Sequence, residues 1–198
     1  GRQTINFASN DNIDVIGLAL INGESCIEVF FIRNGKNYGN KAYFPVHEKD
    51  VTSSSIVSAF LGQFYDSNIA PKNIMSSHQP NNPTLISAAL SLKLKKKVKV
   101  SVPARGNKLK LVTHAVRNAE RELKVKMAKA ASQLTLLKKL QGLFNLDKTP
   151  NRIEVYDNSH ISGDNMVGCM IVAGPTGFEK NNYRVFKIKS KNLTPGDD

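Results

Sequence analysis

The sequence has no tryptophan and only two cysteines in its 198 residues. Cys26 and Cys169 cannot form a disulfide scaffold, and they lack the CxxC spacing that indicates a zinc or iron–sulfur site. No apolar run approaches the roughly 20 residues that span a bilayer. The first ten residues also lack the basic and then apolar pattern of a secretory signal. The sequence therefore favours a protein of the reducing cytoplasm with no membrane segment.

Acidic residues are scarce relative to basic ones. The chain has 28 Lys and Arg against 16 Asp and Glu, a net charge of +12. Residues 91–150 hold 16 of the basic residues and three of the acids, which is +13, so the remaining residues sum to −1. This imbalance predicts a polyanionic partner, either nucleic acid or an anionic membrane. The alternative is a charged face that only keeps the protein soluble. A membrane is disfavoured because the long basic helix predicted in this segment has no aromatic residues to lie at a membrane interface.

Three strands are predicted at the start of the chain, because Asn-Gly turns separate its apolar runs. The runs cover residues 14–21, 24–32 and 36–44, and Asn22-Gly23 and Asn34-Gly35 lie between them. This order predicts an antiparallel meander.

Helical spacing follows the meander. Thr52 to Ser55 offer N-caps for a helix with apolar residues from Ile56 to Phe64. Short strands are predicted at 73–77 and 97–102, on either side of a helix over 84–92 that Pro83 begins.

The longest predicted element is a helix of about 44 Å, at 1.5 Å per residue. Its apolar residues recur in steps of three and four, which predicts a stripe that packs in the core; a seam for a partner helix is the alternative. The stripe comprises Leu109, Val112, Val116, Ala119, Leu123, Met127, Ala130, Leu134 and Leu137. Gly142 is predicted to end this helix.

Strand signals return at 152–157, 166–173 and 183–189. The full order is β-β-β-α-β-α-β-α followed by β-β-β. This order predicts an α/β fold with a ribonuclease H-like mixed sheet, then the opening meander of a second such sheet. We expect three parts: a first domain over 1–104, a long basic helix over 105–146 that completes it and leads on, and an incomplete meander over 147–198.

Three aspartates are candidate metal ligands. Asp157 ends a strand that we expect to be buried, where a lone carboxylate is costly unless it is paired or binds a metal. Asp197 and Asp198 follow the last strand. Carboxylates brought together on a sheet hold Mg²⁺ or Mn²⁺, and two such ions can promote phosphodiester hydrolysis. A turn-capping role for Asp157, with Asp197 and Asp198 as terminal residues without a role, is the alternative.

The four histidines show no metal-ligand spacing. His160 falls on the opposite strand face from Asp157 by alternation, so a structural role is expected. His47, His78 and His114 are predicted to be solvated or structural.

Residues 152–163 read Arg-Ile-Glu-Val-Tyr-Asp-Asn-Ser-His-Ile-Ser-Gly, which resembles the signature of the UvrC family of excinuclease proteins. Tyr-Arg-Val-Phe-Lys-Ile at 183–188, Pro-Gly-Asp-Asp at 195–198 and Pro-Ala-Arg-Gly at 103–106 resemble further family motifs. Asn158 departs from the isoleucine that is usual in the family.

The resemblance implies a nucleotide excision repair protein that cuts a damaged DNA strand on both sides of a lesion, together with UvrB. Its 5′ incision implies a ribonuclease H-like nuclease that uses Mg²⁺ or Mn²⁺. By position, Asp157 is the first catalytic carboxylate, Asp198 the next, and Asp197 a neighbouring metal ligand. The helices that contact UvrB and the remaining site residues are expected outside this chain, which alone is expected to be inactive.

The first ribonuclease H-like domain is expected to be a non-catalytic copy. Asp14 opens its first strand, but the strand over 73–77 supplies no second acid. Its expected role is to bind DNA phosphates without reading sequence, through Arg105, Lys108, Lys110, Arg117, Arg121 and Lys124. The alternative function for the chain is a non-catalytic module that docks DNA or a protein.

Overall fold

The structure is a computed structural model that describes residues 11–161 and 164–187, with side chains described outside 159–166. The chain forms two compact units, which divide between Val125 and Lys126. The first unit contains a five-stranded sheet in the order β3-β2-β1-β4-β5. Its strands are β1 (Ile13–Ile21), β2 (Glu24–Arg33), β3 (Lys36–Tyr43), β4 (Asn73–Ser76) and β5 (Lys99–Ser101).

The predicted opening meander is confirmed. β1 pairs antiparallel with β2, and β2 with β3. Asn22, Gly23, Asn34 and Gly35 all have positive φ angles between 50° and 79°, as the tight turns of a twisted hairpin require. β4 then pairs parallel with β1, and β5 parallel with β4.

Two helices lie in this unit, α1 (Ser53–Ser67) and α2 (Pro83–Leu94), and a third, α3 (Gly106–Leu143), begins in it and continues past the division between the units. The predicted caps of the first two are present. The Thr52 side chain accepts a hydrogen bond from the Ser55 amide at 3.2 Å, and Pro83 begins α2, where its missing N–H costs nothing.

The prediction that Gly142 ends α3 is wrong. Gly142 lies inside the last turn, and Asn145 instead adopts the left-handed conformation with φ 49°. The Leu146 amide donates to the Gln141 carbonyl at 2.9 Å and the Asn145 amide to the Gly142 carbonyl at 3.4 Å. This is a Schellman ending, which asparagine can supply as well as glycine.

The predicted apolar stripe of α3 is only partly correct. Val112, Ala119, Leu123 and Leu137 are buried, whereas Leu109 and Leu134 are exposed. Leu111 and Ala115, which the pattern left out, are buried. Regular spacing predicts a continuous apolar stripe, but burial depends on which turns of the helix have other elements packed against them.

The sheet of the first unit is covered on both faces. Ile16 and Leu18 of β1 belong to a core cluster that includes residues of α1 and α2. Ile13 and Val15 belong to a second cluster with α3. Because successive side chains of β1 point to opposite faces of the sheet, this one strand contributes to both clusters.

Gly17 allows α3 to lie directly on β1. A Cβ atom at this position would be 2.4 Å from the Ala115 carbonyl carbon and 2.4 Å from the Val116 amide nitrogen. Both are backbone atoms of α3, so no side-chain movement relieves the overlap. The contact between strand and helix therefore requires glycine here.

Gly17→Ala is expected to lower the free energy of unfolding by about 1–3 kcal/mol, because α3 must move away from the sheet. Gly62→Ala is the matched control, since no atom lies within 4 Å of its added Cβ and alanine favours an exposed helix position by up to about 1 kcal/mol. Urea unfolding monitored by circular dichroism measures both. Equal stability of the two variants would contradict the close contact.

The second unit contains a four-stranded antiparallel sheet formed by β6 (Ile153–Ile161), β7 (Asp164–Gly174), β8 (Gly177–Phe178) and β9 (Arg184–Lys187). β7 pairs with β6 on one side and with β9 on the other, which confirms the predicted meander. The short strand β8 and a 3-10 helix (Lys180–Asn182) were not predicted. In the described ranges, no helix is long and apolar enough to cross a membrane.

Candidate active site and nucleic-acid interface

Asp157 lies in the middle of β6, opposite Cys169 of β7, which in turn lies opposite Val185 of β9. The Asp157 side chain is exposed, so the prediction that it would be buried is wrong. Its neighbours on the same face are open too, with Val155 55% and Val185 73% exposed. The carboxylate therefore projects from a sheet face that the described residues leave uncovered.

The acidic residue nearest to Asp157 in sequence, Glu154, does not lie beside it. Glu154 falls on the opposite face by alternation, where Arg152 Nε lies 2.6 Å from one carboxylate oxygen and the Tyr156 hydroxyl donates to the other at 2.7 Å. The hydrogen bonds from Tyr156 and Arg152 lower the pKa of Glu154. Within residues 11–161 and 164–187, no group of three or more potential metal ligands is found. Asp197 and Asp198 lie outside the described residues.

The first strands of the two meanders can be compared by counting along each strand, although the β6–β7 pairing shifts register between Ser159 and Ile161 and the β1–β2 pairing does not. Each opening hairpin is closed by a residue pair at the C-terminal ends of β1 and β6, with the same spacing across the turn. Counting back four residues from that pair reaches Gly17 in β1 and Asp157 in β6. The first unit thus has glycine, packed against the α3 backbone, where the second unit has its exposed carboxylate. No space is left there for an acidic side chain.

Asp14 is not the counterpart of Asp157. The same count places it level with Glu154, on the other face of the strand. Its carboxylate is buried, with Arg33 Nη1 at 2.6 Å and the Tyr65 hydroxyl donating at 2.8 Å. Burial raises the pKa of Asp14, although the hydrogen bonds from Arg33 and Tyr65 oppose that shift. Asp14 therefore serves as a structural anchor between β1, β2 and α1.

Tyr65→Phe is expected to destabilise the chain by about 1.5–3 kcal/mol at neutral pH, because it removes a hydrogen bond to a buried charge. The raised pKa of Asp14 means that its contribution to stability is complete below about pH 3.8 and is lost as pH rises through the folded pKa. Removing the Tyr65 donor raises that pKa further. The destabilisation should therefore be small at acid pH and grow as Asp14 ionises.

Unfolding curves of both proteins between pH 3 and pH 7 measure this difference. Tyr43→Phe removes no hydrogen bond found among the described residues and is the matched control. A Tyr65→Phe penalty that is independent of pH would show that the lost contact is not with an ionised carboxylate.

The six basic residues predicted to contact DNA are all exposed. They are Arg105, Lys108, Lys110, Arg117, Arg121 and Lys124.

Four of the six share one face of α3. At roughly 100° per residue, Lys110, Arg117, Arg121 and Lys124 fall within about 60° of each other and opposite the buried side of the helix. They extend over about 21 Å at 1.5 Å per residue. Only Arg121 has an acidic neighbour among the described ion pairs, Glu122 at 3.4 Å. Lys108 lies on another side of the helix, and Arg105 precedes it.

The described histidine side chains have structural contacts. His47 Nε2 lies 2.8 Å from the Ser25 hydroxyl, and His78 Nδ1 lies 2.9 Å from the Ser77 hydroxyl. Burial lowers the pKa of His78. The His114 ring packs edge-on against Phe30 at a centroid distance of 5.3 Å. The His160 side chain lies outside the described part.

A mixed sheet with helices on both faces, followed by a second meander of the same strand order, defines a ribonuclease H-like protein. Comparison with known families agrees with this class. The UvrC Ribonuclease H-like domain matches residues 12–126, and the UvrC RNAse H endonuclease domain matches residues 141–198. The chain belongs to the UvrC family.

Three curated relatives are each named UvrABC system protein C. Those of Rhodopseudomonas palustris strain CGA009 and Bradyrhizobium diazoefficiens are 50% identical over 197 residues, all of this chain, which covers 28% and 29% of their lengths. The relative from Hyphomonas neptunium is 50% identical over 196 residues, 99% of this chain and 32% of its own length. The chain thus spans less than a third of the relatives it matches.

Proposed function

We propose that this chain supplies the DNA-binding scaffold and the first metal-binding carboxylate of an excision-repair endonuclease that incises a damaged strand on both sides of a lesion. The observation that carries the proposal is the exposed Asp157, on an open sheet face at the position where the first unit has a helix-covered glycine. The family match to an endonuclease domain over residues 141–198 supports it.

The chemistry of the site fits a hard divalent cation. An exposed carboxylate on an open face is an oxygen ligand of the kind that Mg²⁺ and Mn²⁺ prefer. Asp157 would hold the ion, and we expect Asp198 and Asp197 to join it. When bound, the metal supplies an activated water and charge stabilisation for phosphodiester hydrolysis.

The partners follow from the same proposal. DNA is the expected polyanion, and UvrB is the expected protein partner, contacted by helices outside this chain. The relatives' name, UvrABC system protein C, supports an assembly of several proteins. The cytoplasmic location stays a prediction from the cysteine content.

The basic face of α3 is proposed to hold the DNA backbone. Its cations are exposed, point away from the buried side of the helix, and carry little compensating negative charge. Contacts of this kind fix the position of a duplex without selecting its sequence. A repair protein needs that tolerance, since lesions occur in any sequence.

The triple variant Arg117→Glu, Arg121→Glu and Lys124→Glu is expected to weaken DNA binding and to flatten the dependence of log K on log salt by about 3, since each phosphate contact contributes roughly 0.9. Fluorescence anisotropy with a labelled duplex at several salt concentrations measures both. Lys36→Glu, Lys49→Glu and Lys72→Glu make the same charge change at exposed positions off α3. Equal losses in the two variants would mean that net charge, and not this face, determines binding.

The test of the metal site uses a full-length protein, as long as the curated relatives, that includes this chain. Asp157→Asn should reduce Mn²⁺-dependent incision at least about 100-fold, weaken Mn²⁺ binding measured by electron paramagnetic resonance, and leave DNA affinity unchanged. Glu154→Gln, on the opposite face of the same strand, is the matched control and should keep both incision and Mn²⁺ binding. The 198-residue chain alone is expected to bind DNA without cutting it.

Two results would count against this assignment. One is an Asp157→Asn protein that cuts and binds Mn²⁺ normally. The other is strong Mn²⁺-dependent cutting by the chain alone, which would show that the 198-residue chain already contains a complete site. DNA binding without any incision in the longer protein would favour the alternative, a non-catalytic docking module.

A further inference from the structure

Helix α2 is apolar on both sides. Its inner side packs into the core through Leu90, which is buried, and through Ile86 and Leu94, which are partly buried. A helix at the surface of a protein normally presents polar residues outward. The outer side of α2 does not follow that rule.

The outer side carries Leu85, Ala88, Ala89 and Leu92, all of them exposed. Leu85 is 67% exposed and Leu92 80% exposed. The spacing of these residues places them on one face, roughly opposite the buried side. Two leucines separated by two small residues form a shallow apolar surface that a second helix can approach closely. We call these four residues the α2 outer face.

Three lysines lie at one end of this surface. Lys95, Lys96 and Lys97 follow α2 directly and are exposed. Lys93 is already committed, because its ammonium donates to the Tyr65 carbonyl at 2.8 Å and also contacts Asp66. No acidic residue occurs between Asp66 and Glu120. The nearest complement to the α2 outer face is therefore an apolar surface bordered by negative charge.

We propose that the α2 outer face and Lys95–Lys97 form a docking site for an amphipathic helix of a protein partner, with leucine-type residues on one side and acidic residues at one end. The apolar side chains of the partner cover Leu85 and Leu92, and its carboxylates meet the three lysines. The apolar residues of the partner helix that contact this face would be spaced three, four and seven residues apart.

Other occupants fit the same surface less well. DNA offers phosphates to the lysines but nothing apolar to cover the two leucines. A second copy of this chain would bring its own lysine cluster to the contact, and like charges close together oppose association. An acidic amphipathic helix satisfies the apolar face and the charge together.

The probe is a synthetic, fluorescein-labelled helical peptide with leucines three and four residues apart and glutamates near one end. Its binding to the chain is measured by fluorescence anisotropy, beside a second peptide in which lysines replace the glutamates. We expect saturable binding of the acidic peptide and at least about 10-fold weaker binding of the basic one.

Two variants separate the apolar and charged parts of the site. Leu85→Gln with Leu92→Gln should weaken binding of the acidic peptide at least about 10-fold, because the peptide can no longer bury these two leucines. Lys95→Glu, Lys96→Glu and Lys97→Glu should weaken it similarly, with a smaller loss at high salt. Leu136→Gln, an exposed leucine on α3, is the control and should bind as the unmodified chain does. Thermal melts show that each variant is folded.

Several outcomes would overturn the proposal. They are no binding of the acidic peptide at millimolar concentration, equal binding of the two peptides, or binding that Leu85→Gln with Leu92→Gln leaves unchanged. Self-association of the free chain that this double variant abolishes would assign the face to a second copy. A loss of DNA affinity in the same double variant would assign it to nucleic acid.

Discussion

The contact between the α3 backbone and β1 at Gly17 determines what the first unit can do. The helix lies so close that even a methyl group would overlap its main chain. That proximity fills one side of the sheet with Ile13, Val15 and their partners on α3. It also turns the opposite side of α3, with its basic residues, toward solvent. One steric constraint thus removes space for a carboxylate and creates a candidate surface for DNA.

The second unit has the same hairpin, but the corresponding strand position is exposed and carries an acidic residue. Asp157 stands where the first unit has Gly17, and the surrounding face is open. Exposed valines beside it, Val155 and Val185, are not a stable outer surface for a sheet, since large apolar patches mark sites of contact. The open face leaves the Asp157 carboxylate accessible. The same strand order therefore supports a scaffold in one unit and a candidate metal ligand in the other.

Asp14 shows why strand position matters more than residue type. In the sequence it resembles a ligand, because it is a lone acid at the start of an apolar strand. In the fold it lies on the other face from the Gly17 position, and it is held by Arg33 and Tyr65. These partners lie 19 and 51 residues away in sequence. No local pattern indicates either of them.

The order of the elements was determined by the sequence itself, since alternation, Asn-Gly turns and caps such as Thr52 act over a few residues. The charge of the basic segment and the motif around Asp157 are also local. Only the tertiary structure decided which positions of α3 are buried and that Asp157 is exposed. It also decided that Gly17 of the first unit lies at the strand position that corresponds to Asp157. These features depend on contacts between distant segments, which hydrophobic periodicity does not report.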